Sequence, residues 1–503
     1  MVSERKKVFL NLAVSGIGQV VLICLGLIVP KIILSSYGSD VNGLTNTIGQ
    51  VFTYISLLEA GVSVSARNAL YKPIKEGDEN GVSFICSLAK KYYKRIAISY
   101  FAILVLISFG LPFLLKTSVP YWTVCFYIFF EGLTSVLSFY FINTWTTFLR
   151  ADGKNYVVDL LTLVTKILCY AVKITLSLFA VNIAFIQIGY FLVSMLVIAL
   201  YFIYMKRKFP WIQYNCKTEG AKLPEKGANL ISEIAWTVFS STDLIILSVF
   251  VSTTAASVYS VYNMIYVALN GLLTAIFQAT NYKLGLAYNS GDIKRYIHLH
   301  DLFNSLFLCS ISSLMAVTYF LIIPFVSFYT AGVTDTDYII PILPLLFCMV
   351  QILSWSRCVG GNLIGISFRQ KQAVPINVAE ALINITASLI FVHLWGIIGV
   401  LLATVVALPL KAVYCNYISD VVILKRKPWR TILIFGTNYF FFGLVVLVRH
   451  FVHPEIKFLW DFVLWGALLS AIFFLVSFVF NVLVNKELAL SVKNQLQKVN
   501  SKK

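Results

Sequence analysis

Apolar runs long enough to cross a lipid bilayer recur along nearly the whole of this 503-residue chain. A hydrocarbon core about 30 Å thick takes roughly 20 helical residues to cross, and with no water inside it each segment must satisfy its own backbone hydrogen bonds. Membrane-spanning helices are the forced reading. Composition closes the alternative: 59% of the residues are hydrophobic and 12% are charged, against about 25% charged in a soluble protein. The fold class read from this is all-α, a polytopic membrane protein.

Taking runs bounded by charge, Pro or Gly, spans fall at 8 to 34, 41 to 70, 96 to 115, 121 to 148, 156 to 178 and 181 to 205. After a polar stretch come spans at 229 to 250, 257 to 281, 303 to 325, 341 to 367, 374 to 393 and 396 to 418, and two more at 431 to 449 and 460 to 484. The count is about 14 transmembrane helices. The expected organisation is an N-terminal lobe of six spans (1–205), a cytoplasmic linker (206–228), a C-terminal lobe of six (229–418), and spans 13 and 14 with a cytoplasmic tail (419–503). Arg5-Lys6-Lys7 precede a first apolar stretch, Val8 to Leu34, that is too long for the apolar region of a signal peptide, so it reads as a retained span.

The formal net charge of +18 raises the question of nucleic acid. Here the basic residues lie between apolar runs, as in Lys206-Arg207-Lys208 and Lys425-Arg426-Lys427, with no soluble domain to present them, so no nucleic-acid partner is expected. They test the span count instead, because a missed helix would put Lys and Arg on alternate sides thereafter. With the N-terminus inside, the inside segments hold Lys72, Lys75, Lys90, Lys91, Lys94, Arg95, Arg150, Lys154, the run from Lys206 to Lys226, Lys294, Arg295, Arg369, Lys371, the run from Lys425 to Arg430, and the lysines of the tail ending Ser501-Lys502-Lys503. The outside loops hold Lys116, Arg449 and Lys457. That bias supports fourteen spans with both termini cytoplasmic. The loops are short, leaving no room for an extramembrane catalytic domain.

An internal repeat is also readable. Leu70-Tyr71-Lys72-Pro73 with Gly77-Asp78 parallels Tyr282-Lys283-Leu284 with Gly291-Asp292, roughly 214 residues on. Near the same offset Val41-Asn42-Gly43-Leu44 matches Ala256-Ser257-Val258-Tyr259, and Phe148-Leu149-Arg150 resembles Ser367-Phe368-Arg369. Six spans separate the copies, which makes them a parallel repeat and implies two six-helix lobes.

A charge near the bilayer centre costs about 2.5 to 3.5 kcal/mol on insertion scales, so the charges inside the spans must face a polar interior. They are Lys31, Glu59, Arg67, Glu131, Lys166, Lys173, Glu233, Asp243, Arg357, Glu380 and Lys411. Lys31, Arg67, Glu233 and Lys411 are close enough to span ends to snorkel; Lys166, Asp243, Arg357, Glu380, Glu59 and Glu131 sit deeper, where a cavity role and a structural ion pair are both open readings. In the fifth span Asp159, Thr162, Lys166, Tyr170, Lys173 and Ser177 follow steps of three or four and form one polar stripe, as do Asn377, Glu380 and Asn384 in the eleventh. The expected substrate-cavity residues are Lys31, Arg67, Lys166, Lys173, Arg357 and Lys411, and the expected ion-coupling residues are Glu59, Glu131, Asp243 and Glu380.

Little else carries chemistry. Nine cysteines are scattered singly, and His298-Leu299-His300 and the pair His450 and His453 lack the further ligands a metal site needs, so neither metal nor cofactor is expected. No P-loop, paired catalytic carboxylates or nucleophile motif appears, and the chain does not read as an enzyme.

Gly38-Ser39-Asp40-Val41-Asn42-Gly43-Leu44, Leu57-Leu58-Glu59-Ala60-Gly61-Val62 and Leu70-Tyr71-Lys72-Pro73-Ile74 with Gly77-Asp78 resemble the start of bacterial polysaccharide flippases of the Wzx type. Thr242-Asp243-Leu244-Ile245-Ile246 and Ala256-Ser257-Val258-Tyr259-Ser260-Val261-Tyr262 look like their seventh and eighth helices. That family belongs to the multidrug/oligosaccharidyl-lipid/polysaccharide exporter superfamily. The resemblance implies a two-lobed transporter in the bacterial cytoplasmic membrane that flips undecaprenyl-pyrophosphate-linked oligosaccharide for O-antigen (lipopolysaccharide), capsule or exopolysaccharide synthesis. Membrane lipids and a polysaccharide polymerase of the same pathway are the further partners it implies. The basic residues would face pyrophosphate or acidic sugars and Glu59, Asp243 and Glu380 would couple ions. The competing reading is a small-molecule cation antiporter of the same superfamily. A membrane polymerase or glycosyltransferase would need a large outer loop or a nucleotide-sugar site.

Overall fold

The computed structural model describes residues 4–59, 61–218, 221, 227–452, 456, 459–485 and 488–490. Lys226, His453, Lys457 and the lysines of the C-terminal tail lie outside them. All regular structure among the described residues is helical, with no strand.

The elements are α1 (Glu4–Ser56), α2 (Val62–Glu76), α3 (Glu79–Leu114), α4 (Tyr121–Leu137), α5 (Asn143–Ala151), α6 (Asn155–Leu178), α7 (Ile183–Lys208), α8 (Gly227–Ile246) and α9 (Thr253–Asn289). They continue as α10 (Ile293–Tyr329), α11 (Leu343–Ser356), α12 (Cys358–Ile366), α13 (Gln370–Tyr417), α14 (Trp429–Phe451) and α15 (Leu459–Val484). Wider π-helical turns follow α4, α8 and α13, at Ser138–Ile142, Leu247–Val251 and Ile418–Ile423. Eleven helices among the described residues are long and apolar enough to cross a membrane. The protein is a multi-pass membrane protein.

Two of those eleven are helical hairpins. α13 has 48 residues, about 72 Å if straight at 1.5 Å per residue, more than twice the hydrocarbon thickness. It turns at Gly396, whose φ of 55° and ψ of −124° are not helical. Across the turn Asn384 Nδ2 donates to Thr404 Oγ1 at 2.9 Å and Lys411 Nζ to Glu380 Oε2 at 2.8 Å, contacts that only an antiparallel return permits. α1 turns in the same way at Gly38 (φ 81°, ψ −177°). Beside that turn Tyr37 bonds the Val181 carbonyl after α6, and Asp40 accepts from Ser118 N (2.7 Å) before α4. From there one arm runs back past Leu163 and the other past Tyr100 and Gly132. Dividing both hairpins and adding α6, which is 24 residues long but carries Asp159, Lys166 and Lys173, recovers the fourteen spans expected from hydropathy.

The chain forms two compact units, residues 1–258 with 332–336, and 259–331 with 337–503. The core of the first is built from the second arm of α1 with α3 and α4, where Phe52, Tyr100 and Phe139 interlock. In this unit the two repeated segments of the sequence meet: Asn42 Nδ2 donates to Ser257 Oγ at 2.7 Å, and Gly43 lies so close to the Thr253 carbonyl that a Cβ would fall 1.6 Å from its oxygen. In the second unit α14 and α15 are fastened to α10 by a buried polar ladder. Asn481 and Asn438 exchange amide hydrogen bonds at 3.1 Å, Ser312 donates to Asn438 at 3.0 Å, and Asn485 donates to Ser305 at 2.9 Å. Lipid tails are as apolar as leucine, so polar pairs rather than hydrophobic burial tell a helix which neighbour to join. The outward faces are apolar, with Phe113, Leu483 and Leu106 more than 70% exposed, at 77%, 75% and 73%.

The Gly-Asp pairs found by the repeat have one mechanical role. Gly77 (φ 71°) and Gly291 (φ 77°) take the left-handed conformation that closes α2 and α9. Asp78 and Asp292 then cap α3 and α10, accepting from Gly81 N and Arg295 N at 2.9 and 3.0 Å.

Candidate binding cavity

The first unit holds an open polar cavity of about 510 Å³. Its walls come from the turn after α1 with the start of α2, the α4–α5 pair, α6 and α7. Glu59 and Ser63 contribute from the first, Glu131, Ser138, Asn143 and Arg150 from the second, Thr162 and Lys166 from α6, and Tyr190 and Ser194 from α7. The wider turn at Ser138–Ile142 explains part of this: one additional residue per turn rotates α5 against α4 so that Ser138 and Asn143 share a wall with Glu131.

Charges inside the cavity are neighbours of opposite sign. Gln187, fully buried on α7, donates its amide to Glu131, which fixes the carboxylate against the wall. Lys166 stands beside Tyr190, Tyr170 and Glu131, and Lys173, two turns further along α6, places its ammonium 4.5 Å from the centroid of the Tyr190 ring. A ring face attracts a cation. At the other end Glu59 lies by Asn143 and Tyr93 and faces Arg150. The lining carries two carboxylates, Glu59 and Glu131, and two cations, Arg150 and Lys166, with Lys173 behind Tyr190, so the site is charged and amphoteric. It can hold an anion by charge-assisted hydrogen bonds.

Of the residues expected to form the cavity, Lys166, Glu59 and Glu131 line it and Lys173 backs it. Lys31 on α1 and Arg67 on α2 are half-buried and outside its lining. Asp243, buried on α8, sits by Tyr54 of α1, which also bonds Thr242. Arg357, Glu380 and Lys411 come together in the second unit: both cations bind the one carboxylate, Arg357 through Nη1 and Lys411 through Nζ at 2.8 Å, with Glu380 1% exposed. Arg150, Gln187 and Tyr190 were not singled out from the sequence. Arg150 follows an apolar run, as any loop arginine does, and Gln187 and Tyr190 carry no charge to mark them.

A second charged cluster was also unmarked. In the second unit Asp301 accepts two hydrogen bonds from Arg426, at 2.7 and 2.8 Å, and Arg426 also reaches Asp420, which Thr431 bonds at 2.6 Å. His300 is buried beside Asp301 at 3.2 Å, so its place in the His-Leu-His spacing reflects packing. Among the described residues no group of three or more His, Cys, Asp or Glu is arranged to hold a metal ion, and none of the nine cysteines is paired.

No protein-family model matches the chain, and no curated protein matches it in sequence. Solved structures do match it. A structure titled lipid II flippase MurJ, inward closed conformation, superposes with a TM-score of 0.65 over 95% of this chain and 100% of that one, at 15% identity. An inward-facing multidrug resistance MATE family transporter of the MOP superfamily gives 0.59 over 84% of this chain and 96% of that one, at 15% identity. This chain has the MOP-transporter fold. A MOP superfamily transporter from Pyrococcus furiosus, whose title reports reverse polarity of its binding pocket, matches at 0.52 over 84% and 95% with 14% identity. At such identities the likeness is one of fold, and the cavity residues must be read from this chain alone.

Proposed function

We propose that this protein is a flippase that carries undecaprenyl-pyrophosphate-linked oligosaccharide across the bacterial cytoplasmic membrane by alternating access, for O-antigen, capsule or exopolysaccharide synthesis. Both termini are cytoplasmic in this reading, no chemical bond is made or broken, and a polysaccharide polymerase of the same pathway receives the product. The observation that supports it is the polar cavity of the first unit, which brings Arg150 and Lys166 together with hydroxyl and amide side chains. A prenyl tail loses nothing by staying in hydrocarbon. Its pyrophosphate and sugars, by contrast, cannot leave water without replacement hydrogen bonds and counter-charges. Lys166 and Arg150 on the lining supply counter-charge, with Lys173 behind Tyr190, and Ser63, Thr162, Ser194 and Asn143 supply hydroxyls and an amide for sugars. That a lipid II flippase superposes over the whole of its own length supports a lipid-linked cargo.

Glu59 and Glu131 on the same lining favour one other reading, export of a small cationic molecule. Transport in reconstituted vesicles separates them. Fluorescent undecaprenyl-pyrophosphate oligosaccharide should change leaflet in a protein-dependent way, and Lys166→Gln should slow it about tenfold to a hundredfold, the worth of one charge-assisted hydrogen bond of about 1.5–3 kcal/mol. Accumulation of fluorescent cations, with no movement of the lipid-linked sugar, would sink the flippase reading.

A further inference from the structure

A second cavity of the first unit, about 770 Å³, lies on the far side of the α5–α7 wall and shares Met195 and Ile198 with the polar one. Its chemistry is different. Tyr140, Phe141, Trp145, Phe202, Phe209 and Tyr214 give it an aromatic body, its only charged lining residues are Lys90 and Lys206, and no carboxylate is among them. Each ammonium stands over a ring of the same lining, Lys90 at 5.5 Å from Tyr214 and Lys206 at 5.8 Å from Phe202.

The site is built rather than left over. The segment following α7 folds back on α3, where Ser87 Oγ donates to the Gln213 carbonyl at 3.1 Å and accepts from Cys216 N at 3.1 Å, while Gln213 N donates to Ser83 at 3.2 Å. These bonds hold Ile212 and Tyr214 across one end. The wider turn at Ser138–Ile142 presents Tyr140 and Phe141 at the other, each about two-fifths exposed, at 38% and 40%.

Depth places the lysines at the membrane surface. Lys206 is in the last turn of α7. α3 has 36 residues, about 54 Å of helix, and ends on exposed Phe113 and Leu114; about 20 residues back from that apolar end is the limit of the hydrocarbon. Lys90 lies beyond it, at headgroup level.

We propose that this groove binds a phospholipid of the surrounding bilayer with an anionic headgroup, its phosphate between Lys90 and Lys206 and an acyl chain along the aromatic wall. Two cations without a carboxylate select against a zwitterionic headgroup, and the rings offer an apolar face continuous with the membrane.

The test is native mass spectrometry of the full-length protein in detergent with added phosphatidylglycerol or phosphatidylethanolamine. Phosphatidylglycerol should be retained preferentially, and K90Q combined with K206Q should cut its retention about tenfold, while K294Q, at an exposed lysine elsewhere, leaves it unchanged. Ala199→Trp, which fills the groove, should abolish retention of either lipid while the thermal midpoint without lipid stays near the parent's. Equal retention of the two lipids, or unaltered phosphatidylglycerol retention in the double variant, would overturn the proposal. So would displacement by equimolar undecaprenyl pyrophosphate, since the groove would then be a substrate site.

Discussion

A carboxylate buried in a membrane protein is informative through its neighbours. Glu380 is held by two cations, Arg357 and Lys411, and removing it takes away the counter-charge they share. Breaking a buried pair costs about 3–5 kcal/mol. Glu380→Ala should therefore lower the unfolding free energy in detergent by about that amount, seen as a fall in thermal midpoint, with or without substrate. A variant with parental stability and lost transport would instead place the triad in the coupling machinery. Lys166 and Glu131 differ in that their surroundings include an open cavity, so their substitution should act on transport first. Depth and sign, which the sequence shows, could mark all of these charges as needing a partner. They could not say that Arg357 and Lys411 would share one, because the three residues lie 23 and 31 positions apart and meet only when α13 folds back.

Helices here are defined as much by where they turn as by where they run. Hydropathy located the spans, although α3 and α10 begin 17 and 10 residues before the stretches expected there at 96 and 303, and Gly396 and Gly38 explain why two pairs of spans form hairpins without an intervening loop. Close approach is a separate demand on glycine. Gly43 faces the Thr253 carbonyl so closely that Gly43→Ala must displace backbone, at a cost of about 1–3 kcal/mol for overpacking. Gly49, on the same arm of α1, has nothing within 4 Å of its would-be Cβ, so Gly49→Ala should gain about 0.5–1 kcal/mol from helix propensity. Thermal unfolding of the two variants side by side checks the contrast; a stabilising Gly43→Ala would mean the two segments are not in contact.

For the molecule as a whole, the distribution of Lys and Arg predicts orientation. Phe179, exposed between α6 and α7, belongs to the lysine-poor side, and Lys371, at the start of α13, to the lysine-rich one. In intact cells a membrane-impermeant maleimide should label Phe179→Cys, and label Lys371→Cys only after permeabilisation. The opposite pattern would invert the topology and with it the proposed direction of transport.

Two properties of this protein follow from sequence alone, because each depends on sums along the chain. Segment hydropathy marks which stretches can enter the bilayer, and the Lys and Arg bias between segments predicts how they are oriented. The Gly-Asp repeat adds the caps of α3 and α10, since a left-handed glycine followed by an N-cap aspartate is a local device. The cavity is different in kind. It joins Glu59, Glu131, Arg150, Lys166 and Tyr190 from five stretches of chain, and which face of each helix turns inward depends on packing partners that hydropathy does not name. In hydrocarbon, apolar faces are interchangeable, so the pairing of helices rests on glycine contacts, polar ladders and shared charges, and these exist only once the chain has folded.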